Sequence, residues 1–412
     1  MNILIFLAAA AGLFVAGARL FQTQNPIPYL DSLRQGKNAF LLAGICAGAL
    51  FPDTEDLYRA LDVTRLSFLN LGLIWFGLLI GLECSLRQLR HASWDRIWGQ
   101  IGSGALISGF AILAILAGGS SLFLRLGLNS NLPLATILCT CFVLTARYPE
   151  PTFRWRGRPS PPTPDPTPNL PIHNMMAMII LTICFPISFQ GLPIEIGSIS
   201  FAGGLRVFIL VAALGCLAGS CLDFALRAHR RPADGMPIAF CILIFFAGFG
   251  HSLGLPPLAI GFIGGVWVIN TTVSRRGLLE ALAGVDGTMT PLFYGFLGTL
   301  IGGFEGGSFF HWSPMVPLII MIVVVRSMGR TLGFSVSQHL WRVPDTWLAT
   351  LELSARPLGR LSVAFAVQAF FLLDLAHNTL ITGLLGAVVV SQVSLFPPQP
   401  QATRAVLTAQ KD

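Results

Sequence analysis

Residues 71–90 read LGLIWFGLLIGLECSLRQLR. From Leu71 to Leu82 there is no charge; Glu83 ends the run, and Arg87 and Arg90 follow it. Extended back to residue 66, this stretch approaches the roughly 20 apolar residues that an α-helix needs to cross bilayer hydrocarbon. The rest of the chain has the same character. Its 412 residues are 54% hydrophobic and only 11% charged, with a mean hydropathy of +0.72. A soluble domain is about 25% charged. This composition excludes a soluble globular enzyme, a disordered protein and a disulfide scaffold, and it leaves an all-α polytopic membrane protein.

Thirteen segments read as spans: 3–21, 38–51, 66–84, 99–124, 132–147, 171–190, 199–226, 236–253, 256–273, 287–303, 313–332, 356–375 and 377–395. Pro256-Pro257 splits one long apolar run into two helices. Residues 3–21 lack the basic start of a signal peptide and carry Arg19 near their end, so they read as the first span. Basic residues test the count. Of the 26 Lys and Arg, nineteen fall in the odd loops, the span ends that border them or the C-terminal tail, three in the even loops and four deeper within spans. That alternation places the N-terminus outside and the C-terminus inside the cytoplasmic (inner) membrane. Residues 1–395 read as one transmembrane domain, and 396–412 as a short cytoplasmic tail.

The net charge of +7 does not point to nucleic acid, because the basic residues are scattered singly between apolar runs. The eight cysteines lie in or beside apolar segments and read as buried free thiols, with no ligand spacing for a metal. No G-x-x-x-x-G-K-[ST] loop is present to hold a nucleotide, so transport, if it occurs, draws on an ion gradient or simple permeation. No enzyme signature such as H-E-x-x-H appears, and no cofactor is expected. The one substantial loop, 148–170, is proline-rich and basic. It reads as a solvated cytoplasmic linker, or as a binding segment for a partner or anionic lipid.

The 71–90 stretch resembles a signature of the bacterial monovalent cation:proton antiporter superfamily, the sodium/hydrogen exchanger group. In that family F-x-x-G-L-E followed by a Leu/Arg pattern ends the corresponding helix. Four further stretches resemble the family in the right order. Residues 38–50, NAFLLAGICAGAL, resemble its short glycine helix. Residues 251–302 run from HSLGLPPLAIGFIGG to PLFYGFLGTLIG. Residues 323–333, VVVRSMGRTLG, resemble the helix with a basic residue. Residues 354–366, SARPLGRLSVAFA, resemble the arginine-glycine start of the second crossover helix. The resemblance implies about 13 transmembrane helices in inverted repeats, a panel and a core domain, and two broken helices crossing near the midplane. It also implies a homodimer, with protons and a monovalent cation, Na⁺ or K⁺, as the exchanged species.

Two positions depart from that pattern. The family carries an Asp-Asp or Asn-Asp pair at the start of its sixth span. Here PIHNMMAMIIL (171–181) puts His173 and Asn174 there. Asn174 does not titrate but offers a carbonyl oxygen. His173 can carry a proton, or can simply cap or pack the helix start after Pro171. The first crossover, CFVLTARYPEP (141–151), keeps Thr145, but Arg147 and Pro149 replace the usual break. Arg326 lies deep in its span and balances charge or orders the crossover. Arg330, one turn on, snorkels to the surface.

The remaining candidates are charges within spans. Glu83 matches the family's Glu and is expected to pair with Arg87 at i+4. Arg356 and Arg360 begin the second crossover, and Asp374 is a deep carboxylate or the polar start of a turn. Asp223 is expected to pair with Arg227. Asp286 is expected at a loop or helix start, in a solvated role. The proton and ion site candidates are therefore His173, Asn174, Thr145, Arg326, Arg356, Arg360, Asp374 and Glu83. The leading expectation is a secondary transporter exchanging a monovalent cation for protons. The alternative is a non-transporting relative acting as a sensor or assembly partner.

Overall fold

The computed structural model describes residues 36–50, 55–91, 94–119, 132–145, 172–188, 203–227, 235–272, 275–302, 312–341, 360–372 and 384–388. Among the described residues every regular element is helical. In chain order they are α1 (Gly36–Leu50), α2 (Glu55–Glu83), α3 (Leu86–His91), α4 (Trp94–Ala114), α5 (Leu132–Leu144) and α6 (Ile172–Ser188). Then come α7 (Gly203–Arg227), α8 (Met236–Ser252), α9 (Pro257–Thr271), α10 (Arg275–Gly302), α11 (Trp312–Trp341) and α12 (Arg360–Leu372). A π-helical turn, Ile115–Gly119, extends α4. Among the described residues, three stretches are long and apolar enough to cross a membrane: Leu66–Glu83, Ile97–Ala117 and Leu205–Arg227. The expected first span, the 148–170 loop, the 396–412 tail, Arg356 and Asp374 lie outside the described residues.

Two helices start well before the expected spans, α2 at Glu55 and α10 at Arg275. Hydropathy marks the part of a helix that avoids water; the backbone ladder continues as long as each residue can donate to the carbonyl four before it. The α8–α9 break falls at Pro256-Pro257, as expected, and its chemistry is local. Gly254, at φ 66°, closes α8 in a Schellman turn. Its N–H donates to the His251 carbonyl at 2.9 Å, and the Leu255 N–H to that of Gly250 at 2.9 Å. Pro257 then opens α9 at a position where the missing N–H costs nothing.

The tightest packing joins α2 to α9. A Cβ on Gly77 would lie 2.1 Å from the Leu258 carbonyl oxygen, and one on Gly81 2.2 Å from that of Phe262. Reciprocally, a Cβ on Gly261 would lie 2.1 Å from the Ile74 oxygen, and one on Gly265 2.2 Å from that of Leu78. Each helix thus presents a pair of glycines four apart, and the two backbones touch. The same device joins α1 to α10, where Gly44 and Gly298 each face the other helix's backbone. Around these crossings the core is filled by Trp75, Phe76, Phe142, Phe185, Tyr294 and Phe365, all fully buried.

The end of α2 is held by one side chain. Asn270 Nδ2 donates to the Cys84 carbonyl at 3.3 Å, and Asn270 Oδ1 accepts the Leu86 N–H at 3.1 Å. The helix therefore breaks at Cys84–Ser85, between Glu83 and Arg87. The expected i+4 pair loses its geometry, and no ion pair joins the two among the described residues. The Asp223–Arg227 pair does form, at 2.7 Å, and Arg227 also donates to the Thr271 carbonyl at 3.0 Å. All eight cysteines are free thiols; Cys46 and Cys241 are exposed, against the expectation that all are buried. Outward faces are apolar: Ile320, Val324, Met328 and Leu332 form an exposed stripe down α11, and Phe224 on α7 is 77% exposed.

The glycine crossing yields a paired test. Gly261→Ala must push a methyl against backbone that cannot yield, an overpacking cost of about 1–3 kcal/mol. Its detergent-solubilised thermal midpoint should fall clearly. Gly248→Ala, in α8 with nothing within 4 Å of its Cβ position, should leave the midpoint unchanged or raise it, since Ala is the better helix former.

Candidate functional site

The first candidate residue, Thr145, is the first non-helical residue after α5 and is fully buried. Its N–H completes the last turn on the Cys141 carbonyl at 3.1 Å. Its hydroxyl reaches the Phe142 carbonyl at 2.8 Å and also contacts the Ser362 hydroxyl. Ser362 is the third residue of α12 and is equally buried. The C-terminal end of one 13-residue helix therefore meets the first turn of another 13-residue helix.

Arg326 closes this junction from α11. It is 6% exposed. Its Nη1 donates to the Phe142 carbonyl at 2.8 Å and lies 3.5 Å from Ser362 Oγ; its guanidinium carbon is 5.7 Å from the Phe142 ring centre. The last carbonyls of a helix carry partial negative charge. A guanidinium on a carbonyl of the last turn of α5 compensates that charge where water does not reach. Arg326 thereby links α5, α11 and α12.

Arg360, the first residue of α12, forms an ion pair with Asp286. Asp286 lies well inside α10, not at its start. The expected solvated role is corrected: besides Arg360, its Oδ1 accepts the Thr290 hydroxyl at 2.8 Å and the Trp75 indole N–H at 3.5 Å. Glu83 is half-buried at the end of α2.

His173 and Asn174 open α6 and are both buried. His173 Nε2 is 2.8 Å from Ser103 Oγ of α4, and Ser103 donates to the Gln100 carbonyl at 3.0 Å. With the hydroxyl proton on that carbonyl, the imidazole Nε2 carries the hydrogen. Gly104 faces the same ring, with a Cβ position 3.2 Å from His173 Cδ2. These contacts give His173 a packing role between α4 and α6. Cys141 Sγ donates to the Ala177 carbonyl at 3.4 Å, so α6 packs against α5 near the junction.

Of the expected candidates, the structure brings Thr145 and Arg326 together and sets Arg360 two residues from their partner Ser362. It places His173 against α4. Ser362, Asp286 and Ser103 were not on the list of expected site residues. For Asp286 there was a usable signal: an arginine as deep as Arg360 needs a carboxylate, and Asp286 and Thr290 stand at i, i+4 just before Pro291. For Ser362 and Ser103 no sequence signal separates them from other small helix residues. No family model matches the chain, and no curated protein matches it.

Arg326→Met removes the charged donor from the Phe142 carbonyl. Hydrogen bonds to charged groups contribute about 1.5–3 kcal/mol. The variant should expose the buried thiols of Cys139 and Cys141 to a thiol-reactive dye at a lower temperature than wild type. Arg326→Lys should fall between the two.

Proposed function

We propose that the chain is a multi-pass membrane protein of about 13 spanning helices, and that it is a secondary transporter exchanging a monovalent cation for protons. One observation carries the reading. The C-terminal end of α5 meets α12 through buried hydroxyls, with an arginine on the α5 carbonyl end and the Asp286–Arg360 pair two residues from Ser362. Polar groups this deep among apolar helices mark ion pathways more often than packing. The exposed apolar stripe of α11 and the apolar outer residues of α7 suit contact with lipid, since a soluble protein rarely leaves such surface bare. The antiporter resemblance supplies the exchange chemistry and the homodimer.

A second reading has its own support. Thr145 and Ser362 bond to each other and Arg326 takes the Phe142 carbonyl, so these oxygens are already engaged, and Asn174 replaces the aspartate. A protein that keeps the architecture as a sensor or assembly partner would look like this.

Proteoliposomes with a preset pH gradient separate the two. On the transporter reading, adding Na⁺, K⁺ or Li⁺ collapses the gradient faster than in empty vesicles, followed with a pH-sensitive dye. Absence of cation-dependent flux from folded, inserted protein across the acid-to-alkaline range would favour the second reading.

A further inference from the structure

α7 and α9 end side by side, and their ends carry a charge pair that the site above does not use. Gly219 of α7 lies against α9, where a Cβ would stand 3.0 Å from Trp267 Cβ and Cδ1. One turn on, Asp223 Oδ2 holds Arg227 Nη2 at 2.7 Å. The same nitrogen donates to the carbonyl of Thr271, the last residue of α9, at 3.0 Å. Two contacts on Nη2 fix the guanidinium. Its Nε and Nη1 have no partner among the described residues, and the side chain is 54% exposed. Asp223 Oδ1 is covered and also lacks a hydrogen-bond partner. Trp267, 41% exposed, brings an indole N–H beside them.

The outward face of α7 leads to this pair. Ile209, Leu217 and Phe224 are exposed on one side of the helix, and the exposed Arg227 ends the same stripe. Apolar residues on such a face meet lipid chains, and an arginine and a tryptophan at its end meet headgroups. Charge selects among the headgroups. The pair is neutral, so a simple cation brought to Asp223 meets Arg227, and a lone anion brought to Arg227 meets Asp223. A head of both signs satisfies both: its phosphate accepts from the guanidinium, and its cation covers the carboxylate. Asp223 Oδ1 narrows the choice further. It lacks a hydrogen donor, which a primary ammonium supplies and a choline trimethylammonium does not. The Asp223 side chain is 13% exposed, and a small turn of the carboxylate about its broad last torsion brings Oδ1 to that opening.

We infer that the ends of α7 and α9 bind a phospholipid whose head bears a phosphate and a primary ammonium. The phosphate lies on Arg227 and Trp267, the ammonium on Asp223, and the chains run along Phe224 and Leu217. The inference rests on α7 lying in a bilayer, and it is independent of whether the chain transports. Arg227 already ties α7 to α9 through the Thr271 carbonyl. A lipid that holds Arg227 in place therefore stabilises the contact of these two helices.

Trp267 supplies the signal for the test. The full chain is placed in phosphatidylcholine vesicles with rising fractions of lipid brominated on its chains, which quenches nearby indole emission. The Trp267 signal is the difference between wild type and Trp267→Phe. Brominated phosphatidylethanolamine should quench it at a fraction roughly two- to fivefold lower than brominated phosphatidylcholine, the range of a partly exposed ion pair. The N,N-dimethylethanolamine lipid, which keeps one N–H, should fall between. Asp223→Asn should remove the preference, Asp223→Glu should keep it, and Arg227→Gln should weaken quenching by every head. The wild-type series decides even where a variant fails to fold. Equal quenching by the ethanolamine and choline lipids in wild type overturns the site, as does a preference that survives in folded Asp223→Asn. Stronger quenching by brominated phosphatidylglycerol than by the ethanolamine lipid also overturns it, in favour of a plain anion site. No quenching by any brominated lipid overturns the membrane reading together with the site.

Discussion

The contact of α2 with α9 through Gly77, Gly81, Gly261 and Gly265 is the constraint on which the other helices depend. In lipid, apolar burial does little to pull helices together, and close backbone packing becomes a main source of cohesion. At this crossing the helices come so close that any side chain larger than hydrogen would strike a carbonyl oxygen. The distance in turn positions what each helix carries. Trp75, on the opposite side of the Gly77 turn from the crossing, is held against Asp286. Asn270, at the end of α9, reaches the broken end of α2. At the other end of α9, Gln368 of α12 accepts the Leu258 N–H at 3.3 Å. The pair therefore anchors α12, and α12 carries Arg360 and Ser362.

Around that frame the electrostatics follow from helix ends. α5 stops inside the protein at Leu144, and its last carbonyls are left without intrahelical partners. That negative end receives Arg326, and the Arg360 side chain of α12 receives Asp286. Neither arginine would be tolerated without its partner. Their pairing explains why charged residues persist in a chain with so few of them.

Much of the architecture was legible because the signals were local. Apolar runs located most helices, and Pro256-Pro257 located the α8–α9 break. Helix starts at Glu55 and Arg275 were not legible, since their first turns are polar and hydropathy sees only the apolar portion. At the site, Arg326 stood out as a charge deep in its span, and Thr145 and Arg360 through the family resemblance. Their partners did not. Ser362 looks like any small residue in a helix, and Asp286 lies 74 residues from Arg360 in the chain. Glu83 and Arg87 illustrate the converse error: a spacing that pairs on a continuous helix fails once Asn270 breaks it.

The junction of α5 and α12 is the central structural claim, and a cross-link tests it most directly. Thr145 and Ser362 are 217 residues apart in the chain, with their hydroxyls in contact. In a background with the eight native cysteines replaced, Thr145→Cys together with Ser362→Cys should form a disulfide on mild oxidation in the membrane. The bridge should appear as a cross-linked peptide by mass spectrometry, and each single variant should stay reduced. Independent alkylation of both cysteines, without a cross-link in folded protein, would contradict the meeting of the two helix ends.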